Sequence, residues 1–449
     1  MNEFFFDAVL VLYLISLTII LIYSSHGFIM LYYQRKYASR IPVRKENIIS
    51  YPKVTVQLPI YNEMYVVERL INSVCNLDYP NDKLEIQVLD DSTDETVDIV
   101  KKLVAKKKKE GFNIIHLHRD DRNGFKAGAL REGLKSATGE FIAIFDADFI
   151  PSNDFLKETI GYFASEKIGM VQTRWEHLNE NFSLLTKVQV FGLNGHFVIE
   201  QPVRNNSGFF INFNGTGGVL RKECIEDAGG WEADTLTEDL DLSYRAQLKG
   251  WEFIYLKDFT TPAELPIEIN SLRAQQFRWT KGAIETAKKI LSRVWKSKFS
   301  LRIKLQSTFH LTNNIVFPFI LLAGILNIPI LFIKNSGDYG GLFNWMSIFI
   351  FAFFSSFLLY FYAQKNIYND WIKNIFLFPI FLSCSMGLSV NNTKAVFEGI
   401  FNSKSEFVRT PKYLSSDLKK RIIPKEYLSK NEFAVVMVEL LLSLYSLIG

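Results

Sequence analysis

The chain has 449 residues, of which 48% are hydrophobic, 14% aromatic and 22% charged, and its formal net charge is +4. A charge this small does not indicate nucleic-acid binding, and we expect no nucleic-acid partner. The three cysteines are far apart in the sequence and odd in number, which excludes a disulfide framework and a cysteine-rich zinc site.

The apolar residues are concentrated in separate stretches. Residues 8–33, 309–333 and 342–363 are each apolar over about the 20 residues that a membrane-spanning helix needs. A shorter apolar run covers 375–390, and a terminal run covers 434–449. The pattern predicts membrane helices on both sides of one large domain of ordinary globular composition.

We therefore predict an integral membrane protein built from five parts. They are an N-terminal transmembrane anchor at 1–34, a globular domain at 50–295, a transmembrane helix pair at 305–363, an interfacial helix with a basic loop at 370–425, and a terminal transmembrane segment at 434–449.

Lysine and arginine are unevenly distributed about the apolar stretches. Neither residue precedes the first span, whereas five basic residues follow it within 35–45 and five more lie at 293–304, before the second span. The positive-inside rule then places the N-terminus outside and the globular domain in the cytosol.

The run at 375–390 conflicts with a simple count of crossings. The segment 394–425 carries eight basic residues and is also expected to be cytosolic. The run itself has only about 16 residues and contains Pro379 and Gly387, so we interpret it as an interfacial or re-entrant helix. The alternative is a full span, which would put the basic loop outside.

Within the globular domain, short apolar strands alternate with helical segments. The predicted strands cover 54–60, 84–89, 113–118 and 140–145, and the predicted helices end near 76 or cover 94–110 and 125–137. Such alternation is typical of βαβ units and a Rossmann-like parallel sheet. Ligands of these sheets bind beyond the carboxyl ends of the strands.

Acidic residues follow these strands. Asp90 and Asp91 end the second strand, and Asp146 and Asp148 form an Asp-x-Asp motif after the fourth. Two carboxylates at the edge of a sheet suit Mg²⁺ or Mn²⁺, whose other ligands are commonly water and substrate phosphates. The alternative is that Asp146 and Asp148 only cap the next helix.

Two later segments carry further candidates. Glu238 and Asp239 stand at the start of a predicted helix, where the alternative role is helix capping. Gln275, Arg278 and Trp279 combine an anion clamp with a stacking surface, which suits a phosphate and a sugar ring. The alternative for Trp279 is a buried helix aromatic.

Taken in order, these motifs resemble one family. The series is PIYNE at 59–63, DDS at 90–92, KAG at 126–128, DAD at 146–148, TED at 237–239 and QxxRW at 275–279. It resembles the membrane-bound enzymes of glycosyltransferase family 2, most of all the cellulose synthase-like mannan and glucan synthases of plants and their bacterial relatives. The segment FVRTPK at 407–412 is similar to a loop of the same superfamily.

The resemblance implies an α/β GT-A fold, that of nucleotide-diphospho-sugar transferases, inserted between transmembrane helices. It implies an inverting hexosyltransferase that uses UDP-glucose or GDP-mannose to extend a β-1,4-linked polysaccharide at the inner face of a membrane. That membrane is expected to be the plasma or inner membrane, or the Golgi membrane of a eukaryote. Relatives usually have two spans after the loop at 407–412, whereas one apolar run follows here.

The resemblance also implies roles for individual residues. The nucleotide pocket is expected to contain Tyr61, Glu63, Asp91 and Lys126, with Pro59 and Asp90 as further substrate-binding residues. Asp146 and Asp148 are expected to meet the diphosphate and its Mg²⁺ or Mn²⁺.

The remaining roles concern catalysis and the acceptor. Asp239 is the expected catalytic base, and the neighbouring Glu238 is expected to be a second catalytic residue. Gln275 and Arg278 are expected to hold the diphosphate and the acceptor end, while Trp279 stacks on the acceptor sugar. Asn214, Gly215 and Thr216 are expected to border the acceptor terminus.

Two other functions stay open at this point. One is a single-addition glycosyltransferase with a lipid acceptor of the ceramide or polyprenyl-phosphate type. The other is a membrane scaffold with an inactive transferase domain, which the intact DxD, TED and QxxRW motifs disfavour. The expected partners are a nucleotide-sugar donor, a glycan or lipid acceptor, and membrane lipid.

Overall fold

The computed structural model describes residues 2–45, 50–336, 339–403 and 433–448. Within these residues, seven strands form one sheet. The strands are β1 (Val54–Ile60), β2 (Leu84–Asp90), β3 (Ile114–His118), β4 (Phe141–Ile144), β5 (Ile168–His177), β6 (Gly218–Arg221) and β7 (Glu252–Ala263).

The sheet has the order β3-β2-β1-β4-β6-β5-β7 and is mostly parallel. Strands β1, β2, β3 and β4 pair in parallel, whereas β6 runs antiparallel to both of its neighbours, β4 and β5. Strand β7 then pairs in parallel with β5. The predicted α/β fold is confirmed, and the four predicted strands lie within two residues of their predicted bounds.

Helices connect and cover the strands. They are α1 (Asn2–Lys36), α2 (Val67–Cys75), α3 (Thr96–Lys109), α4 (Phe125–Ser136), α5 (Phe155–Ile160), α6 (Leu184–Asn194), α7 (Gln201–Asn206), α8 (Lys222–Asp227) and α9 (Glu238–Leu248), with a π-helical turn at Gly195–Glu200. The apolar faces of these helices and both faces of the sheet form buried clusters, because a parallel sheet is covered on both sides.

The rest of the described chain is helical. Its helices are α10 (Ile269–Lys296), α11 (Leu301–Thr312), α12 (Val316–Ser336), α13 (Gly340–Trp345), α14 (Ile350–Ile367), α15 (Trp371–Ile375), α16 (Phe378–Gly387), α17 (Ser389–Phe401) and α18 (Phe433–Ile448). Short 3₁₀ turns lie at Asn81–Lys83, Glu180–Phe182, Asn313–Ile315 and Met346–Phe349.

Three helical stretches of the described residues are long and apolar enough to cross a membrane: Phe4–Lys36, Leu301–Ser336 and Gly340–Ile367. Each contains one of the three predicted spans. Helix α1 packs closely against α14, where the Ser355 hydroxyl donates to the Ser24 carbonyl at 2.6 Å. A Cβ atom on Gly27 would lie 2.7 Å from the Ser355 oxygen, so the small residue permits this close approach.

The run at 375–390, predicted to be interfacial or re-entrant, lies within a helical pair, Trp371–Gly387 and Ser389–Phe401, whose two parts are bent by 48° at Leu388. Both a broken span and a re-entrant loop have this shape, so its relation to the membrane stays a prediction. Most of the basic loop, including the FVRTPK motif at 407–412, lies outside the described residues.

Helix α10 connects the sheet domain to the apolar helices. On one side, a Cβ atom on Gly399 of α17 would lie 2.9 Å from Cβ of Ile284, so these two helices pack closely. The buried Lys281 ammonium contacts Glu398 of α17 at 3.2 Å. Further along, Arg273 forms an ion pair with Glu439 of α18. The helix that carries the QxxRW motif is therefore also part of the apolar helix bundle.

A buried ion pair holds α9 in place. Asp241 is fully buried, and its carboxylate accepts from the Arg245 guanidinium at 2.8 Å. Arg245 also donates to the carbonyls of Ala228 and Gly230, which follow α8. One side chain thus joins α9 to the preceding loop.

We predict that Arg245→Met destabilises the fold by about 3–5 kcal/mol, because it leaves the buried Asp241 without this partner. The change in the free energy of unfolding is measured on the purified protein in detergent, with heat or urea as the denaturant. The matched control is Lys135→Met, which removes an exposed pair with Glu132 and should cost less than about 0.5 kcal/mol. Equal losses for the two variants would contradict the prediction.

Candidate active site

A cavity of about 120 Å³ lies beyond the carboxyl end of β4, between α9 and α10. Ten of the residues predicted from the sequence line it. They are Lys126, Asp146, Asp148, Asn214, Gly215, Glu238, Asp239, Gln275, Arg278 and Trp279. We call it the carboxylate cavity, because the four acidic residues of the DxD and TED motifs line it together with Glu264.

The Asp-x-Asp motif forms a tight turn after β4. Ala147 is buried between the two carboxylates, and the Phe149 amide donates to the Asp146 carbonyl at 3.0 Å. The next helix, α5, begins only at Phe155 and follows Asp154. Asp146 and Asp148 therefore do not cap it, and their carboxylates face the cavity instead.

Thr216, predicted to border the acceptor terminus, supports the Asp-x-Asp turn in the structure. Its side chain is fully buried, and its hydroxyl accepts a hydrogen bond from the Asp146 amide at 2.9 Å. It is not among the residues that line the carboxylate cavity. Thr216 thus fixes the backbone of the Asp-x-Asp turn and does not itself form the border of the cavity.

Lys126 links two walls of the cavity. Its ammonium donates to the Asp146 carboxylate at 2.6 Å and to the Gly215 carbonyl at 2.9 Å. Gly215 has a φ of +80°, and a Cβ atom there would lie 3.0 Å from the Asp239 carboxylate. Glycine is therefore favoured at 215 by both the backbone conformation and the space available.

Asp239 lies in the first turn of α9. Thr237, and not Asp239, occupies the N-cap position, so capping does not account for the acid. Burial and the neighbouring Glu238 raise the pKa of Asp239 to about 7, although Lys126 and Arg278 act in the opposite direction. A carboxylate with a pKa near neutrality is well suited to general base catalysis.

The α10 helix packs directly on the TED segment. A Cβ atom on Gly282 would lie 2.6 Å from the Thr237 side chain, and the Leu236 amide donates to Glu285 at 2.9 Å. This contact sets the positions of Gln275, Arg278 and Trp279 relative to Asp239. Trp279 is only partly buried and lines the cavity, so it is not simply a core aromatic.

Five predicted substrate residues lie outside the lining of this cavity, at the neighbouring ends of β1 and β2. They are Pro59, Tyr61, Glu63, Asp90 and Asp91. The Arg122 guanidinium stacks 3.4 Å from the centroid of the Tyr61 ring, and Arg119 donates two hydrogen bonds to Asp91 at 2.7 and 2.6 Å.

Asp90 is the most enclosed of these five. It is fully buried, and its carboxylate accepts from the Ser92 amide at 2.9 Å and pairs with His116 at 2.8 Å. The carboxylate of Asp90 is therefore already hydrogen-bonded to other groups of the protein. Its assignment to the nucleotide pocket, like that of the other four, stays a prediction.

A second, larger cavity of about 570 Å³ adjoins the first. The two share seven lining residues: Trp175, Leu193, Asn214, Thr237, Asp239, Gln275 and Trp279. From there the second cavity continues between the apolar helices, where its lining includes Asn313, Asn314, Phe317, Tyr360, Phe381 and Glu439. We call it the membrane-side cavity.

Comparisons with known proteins agree with this architecture. The family model described as "Glycosyltransferase like family 2" matches residues 52–282, which contain the sheet and most of the cavity residues. The chain belongs to glycosyltransferase family 2. The resemblance stated from the sequence motifs is confirmed.

Curated relatives are similar over longer stretches. The chain is 36% identical over 411 residues to Glucomannan 4-beta-mannosyltransferase 7 of Arabidopsis thaliana, an alignment that covers 89% of this chain and 71% of the relative. It is 43% identical over 254 residues to Probable glucomannan 4-beta-mannosyltransferase 4 of Oryza sativa subsp. japonica, with coverage of 56% and 46%. The chain thus matches about half the length of this second relative.

A solved structure supports the fold of this family 2 chain. It is a mannosyltransferase from Pyrobaculum calidifontis in complex with GDP-Man and Mn²⁺. The similarity has a TM-score of 0.60 at 20% identity and covers 87% of this chain and 100% of the other. The predicted GT-A fold is confirmed by this likeness.

The donor set of the carboxylate cavity fits a divalent metal. Asp146 and Asp148 offer carboxylate oxygens, which Mg²⁺ and Mn²⁺ prefer over nitrogen or sulfur ligands. Elsewhere in the described residues, Asp90, His116 and His118 place their ligand atoms within 4.8 Å of one another. The hydrogen bond between Asp90 and His116 explains why these side chains lie together without a metal.

Sequence reasoning overlooked two titratable residues that line the carboxylate cavity, His177 and Glu264. Glu264 forms an ion pair with Arg69 at 2.8 Å. His177 lies two residues after Trp175 on β5, and side chains with this spacing share one face of a strand. Trp175 lines the same cavity, so the alternation along β5 was the available signal for His177.

Proposed function

We propose that this hexosyltransferase transfers a hexose, with inversion, from UDP-glucose or GDP-mannose to the end of a growing β-1,4-linked polysaccharide. One observation carries the proposal. Asp239 and Trp279 line both the carboxylate cavity and the membrane-side cavity, so a candidate base and a stacking surface stand where the two meet. A donor in the first cavity and an acceptor in the second would then meet at Asp239.

The donor diphosphate would bind among Asp146, Asp148, Lys126 and Arg278. A divalent ion held by the two aspartates supplies positive charge that offsets the charge of the leaving diphosphate. The two cationic side chains stabilise the same oxygens from the protein side. We assign the nucleobase and the ribose of the donor to the neighbouring strand ends, where Tyr61, Glu63 and Asp91 lie.

Asp239 would act as the base. Its carboxylate takes the proton of the acceptor hydroxyl while that oxygen forms a bond to the anomeric carbon. The bond from the anomeric carbon to the diphosphate oxygen breaks in the same step, and the nucleoside diphosphate leaves with the bonding electron pair. Because attack comes from the side opposite the leaving group, the anomeric configuration inverts.

The acceptor would enter from the membrane-side cavity. Trp279 offers a flat surface on which a sugar ring can stack, and Gln275 and Asn214 offer amide groups for its hydroxyls. These three residues line both cavities and are thus suited to hold the terminal sugar. The volume of the membrane-side cavity, about 570 Å³, supports a glycan as the acceptor.

A lipid acceptor with single addition is the second candidate. The observation in its favour is the apolar part of the membrane-side cavity, where Leu185, Val188, Leu272 and Phe317 line the wall. These side chains would accommodate an acyl or polyprenyl chain as readily as the flat face of a glycan.

For the membrane arrangement, we propose that the chain has the five parts predicted from the sequence and that its N-terminus lies outside. Arg35 and Lys36 end α1 on the side of the sheet domain, which supports a cytosolic active site. The membrane is the plasma or inner membrane, or the Golgi membrane if the source is eukaryotic.

Asp239→Asn is expected to lower turnover by about a hundred- to ten-thousand-fold, because asparagine cannot accept the proton. Donor affinity should stay close to the wild-type value, since the aspartates of the DxD motif are unchanged. Both quantities are measured on one purified sample by calorimetry and by transfer of labelled hexose. Near wild-type transfer would rule out Asp239 as the base.

The matched control is Asp98→Asn, which changes an exposed acid in the first turn of α3 and should leave transfer unaffected. In the wild type, kcat/KM should rise with pH up to about 7 and then level off, because the raised pKa keeps Asp239 protonated at lower pH. A flat profile through this range would contradict the assignment.

Asp148→Asn is expected to reduce transfer by several orders of magnitude, because it removes a charged metal ligand next to the diphosphate. EDTA should stop transfer by the wild type, and added Mn²⁺ or Mg²⁺ should restore it. Full activity in excess chelator would defeat the metal assignment.

The orientation predicts accessibility in a cysteine-free variant. Asp120→Cys and Ser403→Cys should react with a membrane-impermeant thiol reagent only from the cytosolic side, and Ser336→Cys only from outside. Labelling is compared in sealed and permeabilised vesicles. Reaction of Ser403→Cys from outside would mean that the 375–390 run spans the bilayer.

A further inference from the structure

His177 occupies a specific place in the wall of the carboxylate cavity. It is the last residue of β5 and pairs with Ala263 of β7. Ala263 in turn bridges to Phe149, the residue after Asp148. The ends of β5 and β7 and the Asp-x-Asp turn therefore meet around this imidazole, which lines the cavity.

The imidazole has unused hydrogen-bonding capacity. Both ring nitrogens are buried, and neither has a hydrogen-bond partner among the described residues. Buried polar atoms in folded proteins are nearly always satisfied, and those that are not commonly meet a ligand or water. The side chain lines the cavity, and a rotation of the ring would turn a nitrogen towards a molecule bound there.

The charge state of the ring limits what that partner is. Burial, together with the nearby Arg174 guanidinium, lowers the pKa of His177 to about 3, so the ring is neutral at physiological pH. A neutral imidazole offers one N–H donor and one acceptor nitrogen. This pair matches a hydroxyl group, which also both donates and accepts, better than it matches a diphosphate.

The rest of this wall offers few other polar contacts. Leu265, Pro266 and Ile267 follow β7 and are apolar, and Glu264 is paired with Arg69. A hydroxyl-bearing ring placed beside Asp148 would therefore find His177 as its main neutral hydrogen-bonding partner at this wall.

We propose that His177 binds a hydroxyl group of the donor hexose and thereby contributes to the choice of sugar. The proposal deepens the proposed function and rests on it, because it takes the ligand of the cavity to be a nucleotide sugar. A neutral group that hydrogen-bonds to a sugar hydroxyl discriminates between sugars but not between the nucleotides to which they are attached.

The test is a thermodynamic cycle that compares the binding affinities of two proteins, each the whole 449-residue chain, for a set of ligands. Wild type and His177→Phe are titrated, with Mn²⁺ present, with UDP-glucose, GDP-mannose, their single-position deoxy analogues, and UDP and GDP alone. For the preferred sugar nucleotide, His177→Phe should weaken binding about 10- to 100-fold, and one deoxy analogue should weaken wild-type binding by a similar factor. For that analogue, the two proteins should bind equally.

Further measurements separate this role from others. UDP and GDP should bind both proteins equally, the Mn²⁺ requirement should not change, and His177→Gln should recover part of the affinity. Leu178→Ala, which truncates the exposed next residue, is the matched control and should bind as the wild type does.

The proposal is overturned if His177→Phe binds the parent sugar nucleotide with wild-type affinity. It is also overturned if the variant loses affinity for every deoxy analogue by the same factor as for the parent, or if it needs a higher Mn²⁺ concentration for binding. The last result would make His177 a metal ligand. If the wild type binds the nucleotide but transfers no hexose to any acceptor, the proposed function fails, while the binding cycle still decides the role of His177.

Discussion

The site depends on how four carboxylates are held in one small cavity. Asp146, Asp148, Glu238 and Asp239 come from two distant segments, and their mutual repulsion opposes any anionic ligand. Lys126 partly offsets this charge, because it joins Asp146 to the Gly215 carbonyl beside Asp239. The same crowding and burial keep the pKa of Asp239 near neutrality. In the proposed function, a divalent ion beside the diphosphate would offset the same negative charge.

The sequence was informative where structure and chemistry are local. Apolar strands that end in Asp residues, the DxD turn and the QxxRW helix were all recognisable, because each is set by a few neighbouring residues. The inward position of Thr216 and the engagement of Asp90 by His116 were not, since both result from contacts between distant segments. His177 has the same explanation, because only the pairing of β5 with β7 places it beside the DxD turn.

Helix α10 connects the proposed catalytic site to the apolar helices. Gly282 permits its close approach to the TED segment, while Lys281 and Arg273 pair with Glu398 and Glu439 on helices that flank the membrane-side cavity. A displacement of these helices would therefore move Trp279 and Gln275 relative to Asp239. We expect the geometry of the acceptor site to depend on the membrane environment for this reason.

The central claim is that the two cavities act together as one polymerising site. The most direct measurement is the length of the product that purified protein, reconstituted in lipid vesicles, makes from labelled GDP-mannose or UDP-glucose. A series of chains of increasing length that an endo-β-1,4-glycanase degrades is the predicted result. A product that carries a single hexose and partitions with the lipids into organic solvent would contradict the account.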